Sequence, residues 1–347
     1  MKKLFSLALL AMMMVTGKTF AQSSMLATLS HEGEITTYYG ATAYREAVNA
    51  ASHGDIITLS SGSFGAVNIT KALTIRGAGM AVDTVAKTYP TILSGYFSIQ
   101  IPDSVNQRLT MEGIYNDQSI TVKGTLKNAT FLKDRLRSIT YENSSTTKMS
   151  NLTFIHCKIS NELNLPTTGS ASCVNCYITD PYSISSTTSN FEFTNCVIRF
   201  TSYGTYLGSP SMVRSSLYQN CVIYHTNGHS SSLPSSCTAY YCVGRTDSNS
   251  NLFSNQTNTT NWNLGSAAYS GLFKTCTGGY NDEETFELAV AAKTKYIGDY
   301  GKQVGMYGGD LPFTATPTNP QITKCNVAAK STADGKLSVD IEVSAAE

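Results

Sequence analysis

Charge is the scarcest ingredient of this chain. Only 14% of its 347 residues are Asp, Glu, Lys or Arg, and 25 basic residues against 24 acidic ones leave a formal net charge of +1. Without a basic excess there is no footprint for phosphate binding, which argues against nucleic acid as a partner. The surface must then be covered largely by Ser, Thr, Asn and Gly, a covering that suits neutral glycans as well as plain solvation. Long apolar runs are scarce too: after Val15 none approaches the roughly 20 residues of a membrane-spanning helix, so no transmembrane segment is expected. Helical periodicity is sparse between Ile56 and Thr275, which argues against helical-repeat solenoids. No tight group of Asp residues suggests calcium. Cys173-Val174-Asn175-Cys176 has zinc-like spacing without a second pair, so no metal and no cofactor is expected.

What the chain does have is a repeat. His156-Cys157-Lys158-Ile159, Asn175-Cys176-Tyr177-Ile178, Asn195-Cys196-Val197-Ile198 and Asn220-Cys221-Val222-Ile223 follow one another, and Tyr241-Cys242-Val243-Gly244 is a degenerate fifth copy. The cysteines step by 19, 20, 25 and 21 residues. A unit of this length, too small to bury its own apolar face, signals a solenoid. In the copy Phe191-Glu192-Phe193-Thr194-Asn195-Cys196-Val197-Ile198, Phe191 and Phe193 alternate with polar residues as a half-buried strand requires. The next apolar pair is Cys196 and Ile198, so the inward phase slips by one at Asn195. A bend with Asn195 in the left-handed region absorbs such a slip, and Asn and Gly tolerate that region best. Leu73-Thr74-Ile75-Arg76-Gly77 and Leu109-Thr110-Met111-Glu112-Gly113 place Gly at the bend, and Leu126-Lys127-Asn128 places Asn there. Strand, one-residue bend, strand is the path of a parallel β-helix coil.

The Asn-Cys-x-Ile rungs, with the entry segment Gly54-Asp55-Ile56-Ile57-Thr58-Leu59, Ser61-Gly62-Ser63-Phe64-Gly65 and Leu73-Thr74-Ile75-Arg76-Gly77, resemble the right-handed parallel β-helix proteins of pectate-lyase-like fold over roughly residues 40–310. The expected fold class is therefore all-β: a single right-handed parallel β-helix solenoid with an N-terminal cap helix and a C-terminal β-hairpin. The expected boundaries are a signal peptide at 1–21, the capped β-helix at 22–310, and a Pro-containing linker with hairpin at 311–347.

The first 21 residues carry Lys2 and Lys3, an apolar run from Leu4 to Val15, and Thr19-Phe20-Ala21 before Gln22, the pattern of a secretory signal. Its removal takes away Lys2, Lys3 and Lys18 and shifts the charge from +1 to −2. The expected location is secreted or exported, periplasmic or extracellular. Nine cysteines in an exported chain ordinarily suggest disulfides. Here Cys157, Cys176, Cys196, Cys221 and Cys242 share one position of successive rungs, which predicts an inward ladder of thiols acting as small hydrophobes. Cys173, two residues before its bend, joins the core on the same reasoning, and pairing of Cys237, Cys276 or Cys325 stays open.

A short amphipathic helix is expected over 39–51 and a second over 282–295, with coils running to about Thr277 and a last partial coil at Gln303-Val304-Gly305-Met306-Tyr307-Gly308-Gly309. Beyond Pro312, Pro317 and Pro320, two alternating runs flank Ala333-Asp334-Gly335 as a hairpin.

Chemistry is sought where each Cys-x-Ile strand ends. That register collects Lys133 and Asp134, Ser160 and Asn161, Thr179 and Asp180, Arg199, Tyr224 and His225, and Arg245 and Asp247, and the resemblance implies that active enzymes of this fold often use a groove beside such turns. Asp180, Arg199, His225 and Arg245 are the candidate catalytic residues. Tyr203, Tyr206 and Tyr224 are candidate ligand-binding residues, offering ring faces on which a sugar can stack. A hydrolase needs two placed carboxylates and a lyase a base with a cation. No paired-carboxylate motif of the polygalacturonase kind is present, and Asp134, Asp180 and Asp247 are dispersed over several rungs. His225 and His229 have no carboxylate near them in sequence, and His156 falls on a bend. The leading expectation is an exported β-helix that binds a polysaccharide, a cell-surface glycan or another surface partner. The alternatives are a polysaccharide lyase or glycoside hydrolase, and a purely structural surface protein.

Overall fold

A computed structural model describes residues 25–84, 88–143, 145–166, 169–183, 190–201, 215–226, 232–318, 321–327 and 334–344. The chain is a parallel β-solenoid built on two long sheets, one of 11 strands and one of 12. Each coil contributes a short strand to the first sheet, bends, and continues into the second. Thus Leu152–Ile155, Ser170–Val174, Asn190–Thr194, Leu217–Gln219 and Thr238–Tyr240 are successive rungs of the first sheet, and Lys158–Leu165, Tyr177–Thr179, Val197–Phe200, Val222–His225 and Val243–Arg245 of the second.

The bend is a single left-handed residue. His156, Asn175, Asn195, Asn220 and Tyr241 have φ of 54°, 50°, 52°, 54° and 53°. The backbone N–H groups of His156, Asn175, Asn195 and Asn220 still reach the next rung, as Asn195 N does to Gln219 O at 2.9 Å, so the turn keeps the ladder bonded. Two expected bends are corrected. Gly77 is not left-handed; its glycine is required because a Cβ there would lie 2.4 Å from Gly113 O. Asn128 is left-handed at 55°, but it joins Thr125–Lys127 to Thr130–Leu132, a different corner, where Asn151 Nδ2 donates to its Oδ1 at 3.2 Å. The bend equivalent to Asn195 in that coil is Lys133, at 54°.

Asp134 consequently occupies the cysteine position rather than a turn. It is fully buried and accepts Ile114 N at 2.8 Å. Cys176 Sγ accepts Cys157 N at 3.3 Å and Cys221 Sγ accepts Cys196 N at 3.4 Å in the same way. All five ladder cysteines are 0% exposed free thiols, and Cys173 is buried beside them. Burial raises the pKa of Cys157, Cys196 and Cys242 well above that of a free thiol, which suppresses the reactive thiolate. Native protein should therefore be silent to a thiol reagent at these positions and titrate only on unfolding. Cys196 Sγ also donates to Cys173 O at 3.2 Å, so a serine hydroxyl there would find an acceptor. Cys196→Ser should cost about 1 to 2 kcal/mol in denaturant unfolding, from lost volume and a polar atom in an apolar stack. A serine variant as stable as the parent would refute the packed ladder.

The first sheet begins with an antiparallel hairpin that the repeat pattern does not announce: β1 (Leu26–His31) and β2 (Glu34–Tyr39), with β1 pairing onto β3 (Ile56–Leu59). Helix α1 (Ala43–Ala50), shorter than the expected 39–51, buries Ala43, Tyr44, Ala47 and Val48 against these strands. At the far end the last parallel strand is Trp262–Asn263, so the coils stop before Thr277. There the edge is closed by side chains: Gln256 Oε1 accepts Ala239 N, Thr260 Oγ1 accepts Tyr241 N, and Asn261 Oδ1 accepts Cys242 N.

Residues 264–318 then run back along the solenoid instead of adding a coil. Leu272, Phe273, Cys276, Phe286, Leu288, Ala292, Tyr296, Val304 and Met306 close over Tyr177, Val197, Val222, Tyr224 and Val243 on the outer face of the second sheet, making a second apolar core. The helix expected over 282–295 is confined to Val290–Lys295. The expected partial coil at 303–309 is a strap lying across the bends. Asn220 Nδ2 donates to Asp299 Oδ1 (2.7 Å), Asn175 Nδ2 to Met306 O (2.9 Å) and Gly308 O (2.8 Å), and Thr318 N to Glu112 Oε1 (2.8 Å). His156 Nε2 lies 3.0 Å from Leu311 O, which requires that nitrogen to carry the proton. The C-terminal hairpin pairs Gln321–Val327 with Val339–Ser344. Among the described residues no helix is long and apolar enough to cross a membrane.

Candidate functional site

The expected site register exists, but it is covered. Thr179, Arg199, Tyr224 and Arg245 align on four successive rungs of the second sheet, on its outer face. They remain within the strands, and residues 264–288 lie over them. Tyr224 is fully buried, edge-on to Tyr269 at 5.7 Å and to Phe273 at 5.5 Å, so it has no ring face open to a sugar. Arg245 is 7% exposed, and its guanidinium binds Ala267 O, His225 O, Asp247 Oδ1 and Tyr269 OH while lying 3.6 Å from the Tyr269 ring centre. Tyr269 in turn donates to His225 O at 2.9 Å, and burial pushes its phenol up to about 12, so it stays protonated. His225 is 1% exposed and stacked on Phe200 at 5.4 Å. Asp180, a left-handed corner at φ 42°, accepts Thr201 N at 2.8 Å. Arg199 is half-buried, with its Nε lacking a hydrogen-bond partner. Tyr203, Tyr206 and His229 lie outside the described residues.

The geometry explains this arrangement. Residues that follow the inward Ile of each rung point outward, and on the second sheet outward means into the layer formed by 264–288. The guanidinium of Arg245 is held by four acceptors, two of them, Ala267 O and Tyr269 OH, on that layer, and has none of the freedom a substrate clamp requires. Lys158, one column across, is fixed likewise: it donates to Glu284 O at 2.7 Å, and burial lowers its amine to about 8.

The outer face of the first sheet is different. A shallow depression of about 300 Å3 lies there, lined by Asn151, Leu152, Thr153, Ser170, Ala171, Ser172, Asn190 and Glu192. Leu152 and Ala171 turn their side chains into the solenoid core, while Asn151, Asn190 and Glu192 are exposed. Parallel register fixes the polar groups in rows. Thr130, Thr153, Ser172 and Glu192 occupy one column on consecutive rungs, and Ser170 and Asn190 a second column two residues upstream. Strands of one sheet lie about 4.8 Å apart, so hydroxyl, amide and carboxylate groups recur at that interval. Ser170 Oγ accepts Asn151 N at 2.8 Å, which leaves its proton free to be donated outward. Such a surface offers donors and acceptors at a fixed spacing.

None of these residues was a sequence candidate. The signal was present in the alternation: in Phe191-Glu192-Phe193-Thr194 the residues between the buried phenylalanines must face outward, and stacking the copies places Thr153 and Ser172 beside Glu192. Among the described residues no three His, Cys, Asp or Glu side chains converge as a metal site. Comparison of the chain with protein-family models, with curated proteins and with solved structures finds no match to any of them.

Proposed function

We propose that this is an exported β-solenoid, of the right-handed pectate-lyase-like kind, that binds a glycan on the outer face of its first sheet. The observation that carries the reading is the depression of Asn, Ser, Thr and Glu side chains spanning three rungs, from Asn151 to Glu192. Sugar hydroxyls are both donors and acceptors, and rows of hydroxyls and amides with one carboxylate match them. The low charge of the chain fits a neutral ligand. Export rests on the Lys2-Lys3, apolar and Thr19-Phe20-Ala21 pattern. Binding is favoured over lyase or hydrolase activity because Arg245, His225 and Asp180 serve as bonded or packed structural groups, where acid-base chemistry needs a group free to exchange a proton with substrate.

A glycan array followed by calorimetry on the best ligand tests this. Glu192→Ala should weaken binding by about tenfold or more, the loss of a charged hydrogen-bond acceptor, with an unchanged melting temperature. Ser172→Phe, which fills the middle of the depression, should abolish it. A flat array favours the purely structural reading. Reducing-end or unsaturated products that vanish with Arg199→Ala would make the enzyme reading correct.

A further inference from the structure

The two ends of the first sheet are treated differently. At the last coil, side chains of Gln256, Thr260 and Asn261 occupy the N–H groups that another strand would use. At the first coil the sheet ends, among the described residues, in β2, which pairs with β1 on one side and lies at the edge of the sheet on the other. The β1–β2 turn is Glu32-Gly33, so His31 and Glu34 form the hydrogen-bonded pair beside it, and Leu29 with Thr36 and Ala27 with Tyr38 continue that set. Ile35, Thr37 and Tyr39 therefore direct their N–H and C=O groups away from β1. Gly40 N donating to Met25 O agrees with this phase.

Natural edge strands are protected by lysine, proline, a bulge or a cover. β2 has no Lys and no Pro, and its register with β1 runs without a shift over all six residues. Five of the six are exposed, with Ile35 at 71% and Tyr39 at 54%. The hairpin is also rigidly placed, since His31 Nδ1 lies 2.9 Å from the Asp55 carboxylate, which also accepts Ser52 N. This is an ordered template for strand addition.

We infer that β2 is a self-association edge, on which β2 of a second copy of this chain adds antiparallel about a two-fold axis at Thr37. The register follows from the outward groups. Centring on Thr37 opposes Ile35 with Tyr39 of the other copy and Thr37 with itself, so all three outward pairs form at once. Shifting the centre by one residue leaves at least one outward group unpaired. The side-chain pairs are favourable in the same register: aliphatic against aromatic and threonine against threonine. Glu34 falls beyond the paired core and meets no like charge. The product is a head-to-head dimer whose first sheets are continuous, with the side-chain-closed ends facing outward to stop further growth.

Sedimentation of the exported protein over a range of concentrations tests the inference, and a reversible dimer is expected. Thr37→Lys opposes two lysines at the axis and should raise the dimer dissociation constant at least about tenfold, as should Thr37→Glu. Mixing the two variants should restore association as a heterodimer. Thr37 is exposed, so both variants should keep the parent melting temperature. A parent that stays monomeric at all concentrations overturns the inference. So does a dimer indifferent to Thr37, or two monomeric variants that do not recombine.

Discussion

Phe286→Ala is expected to lower the unfolding free energy by about 3 to 5 kcal/mol, the range for removing a large ring from a packed core. Phe286 is 1% exposed, yet it belongs to no coil. Its ring stacks on Tyr177 of the second sheet at 3.9 Å and 16°, and it meets Tyr280 and Phe273 at 6.1 and 6.3 Å. The loop that carries it is pinned on both sides, because Glu284 Oε1 accepts Phe286 N at 2.9 Å and Thr275 Oγ1 at 2.7 Å. Truncation to alanine leaves a hole between the solenoid and the layer that covers it, lined by Tyr177, Tyr280 and Phe273.

The measurement has a built-in discriminator. The chain has one tryptophan, Trp262, which closes the last coil and sits edge-on to Tyr296 of the returning segment at 5.6 Å. Its fluorescence reports docking of that segment, while far-ultraviolet circular dichroism reports the coils. The two urea transitions should coincide in the parent and shift together in Phe286→Ala, as one cooperative unit requires. A cost under about 1 kcal/mol, or a tryptophan transition well ahead of the coil transition, would mean that residues 264–318 are a loosely attached appendage.

The coils were legible because their rule is local and repeated: Phe193, Asn195 and Cys196 stand at fixed offsets, and the same offsets recur every 20 or so residues. The thiol ladder followed from that period alone. The returning segment was not legible because it repeats nothing. Its strap joins residues far apart in sequence, 79 positions for Asn220 with Asp299 and 206 for Glu112 with Thr318, and its run from Gln303 to Gly309 reads as a partial coil. One sign of it was available. In the Cys-x-Ile rungs the x residue faces away from the solenoid interior, yet it is Tyr177, Val197, Val222 and then Val243. Apolar residues on both faces of a strand mean that both faces are covered. The same covering displaced the candidate site. Arg199, Tyr224 and Arg245 do align as expected, but they align beneath a layer, whereas the polar column of Thr153, Ser172 and Glu192 faces open solvent on the other sheet.

The bend asparagines allow that layer to be weighed one bond at a time. Asn175 and Asn195 have nearly the same backbone, φ 50° and 52°, and both are at least nine-tenths buried. Both side chains face the strap. Asn175 Nδ2 bridges Met306 O and Gly308 O, while Asn195 packs against Gly309 and its Oδ1 has no hydrogen-bond partner. Glycine is unstrained in the left-handed region, so replacing either residue isolates the side chain's contribution. Asn175→Gly should cost about 2 to 3 kcal/mol, because two buried carbonyls lose a donor, although Met306 O keeps Phe313 N at 2.8 Å. Asn195→Gly should cost under about 1 kcal/mol, set mainly by the entropy of the unfolded glycine. Asn175→Val should exceed both, since a β-branched residue adds about 1 to 3 kcal/mol of left-handed strain to the lost bonds. Denaturant unfolding of the three variants checks the order. Equal costs for the two glycine variants would show that the strap draws nothing from Asn175, and a tolerated valine would show that the chain does not turn at that residue.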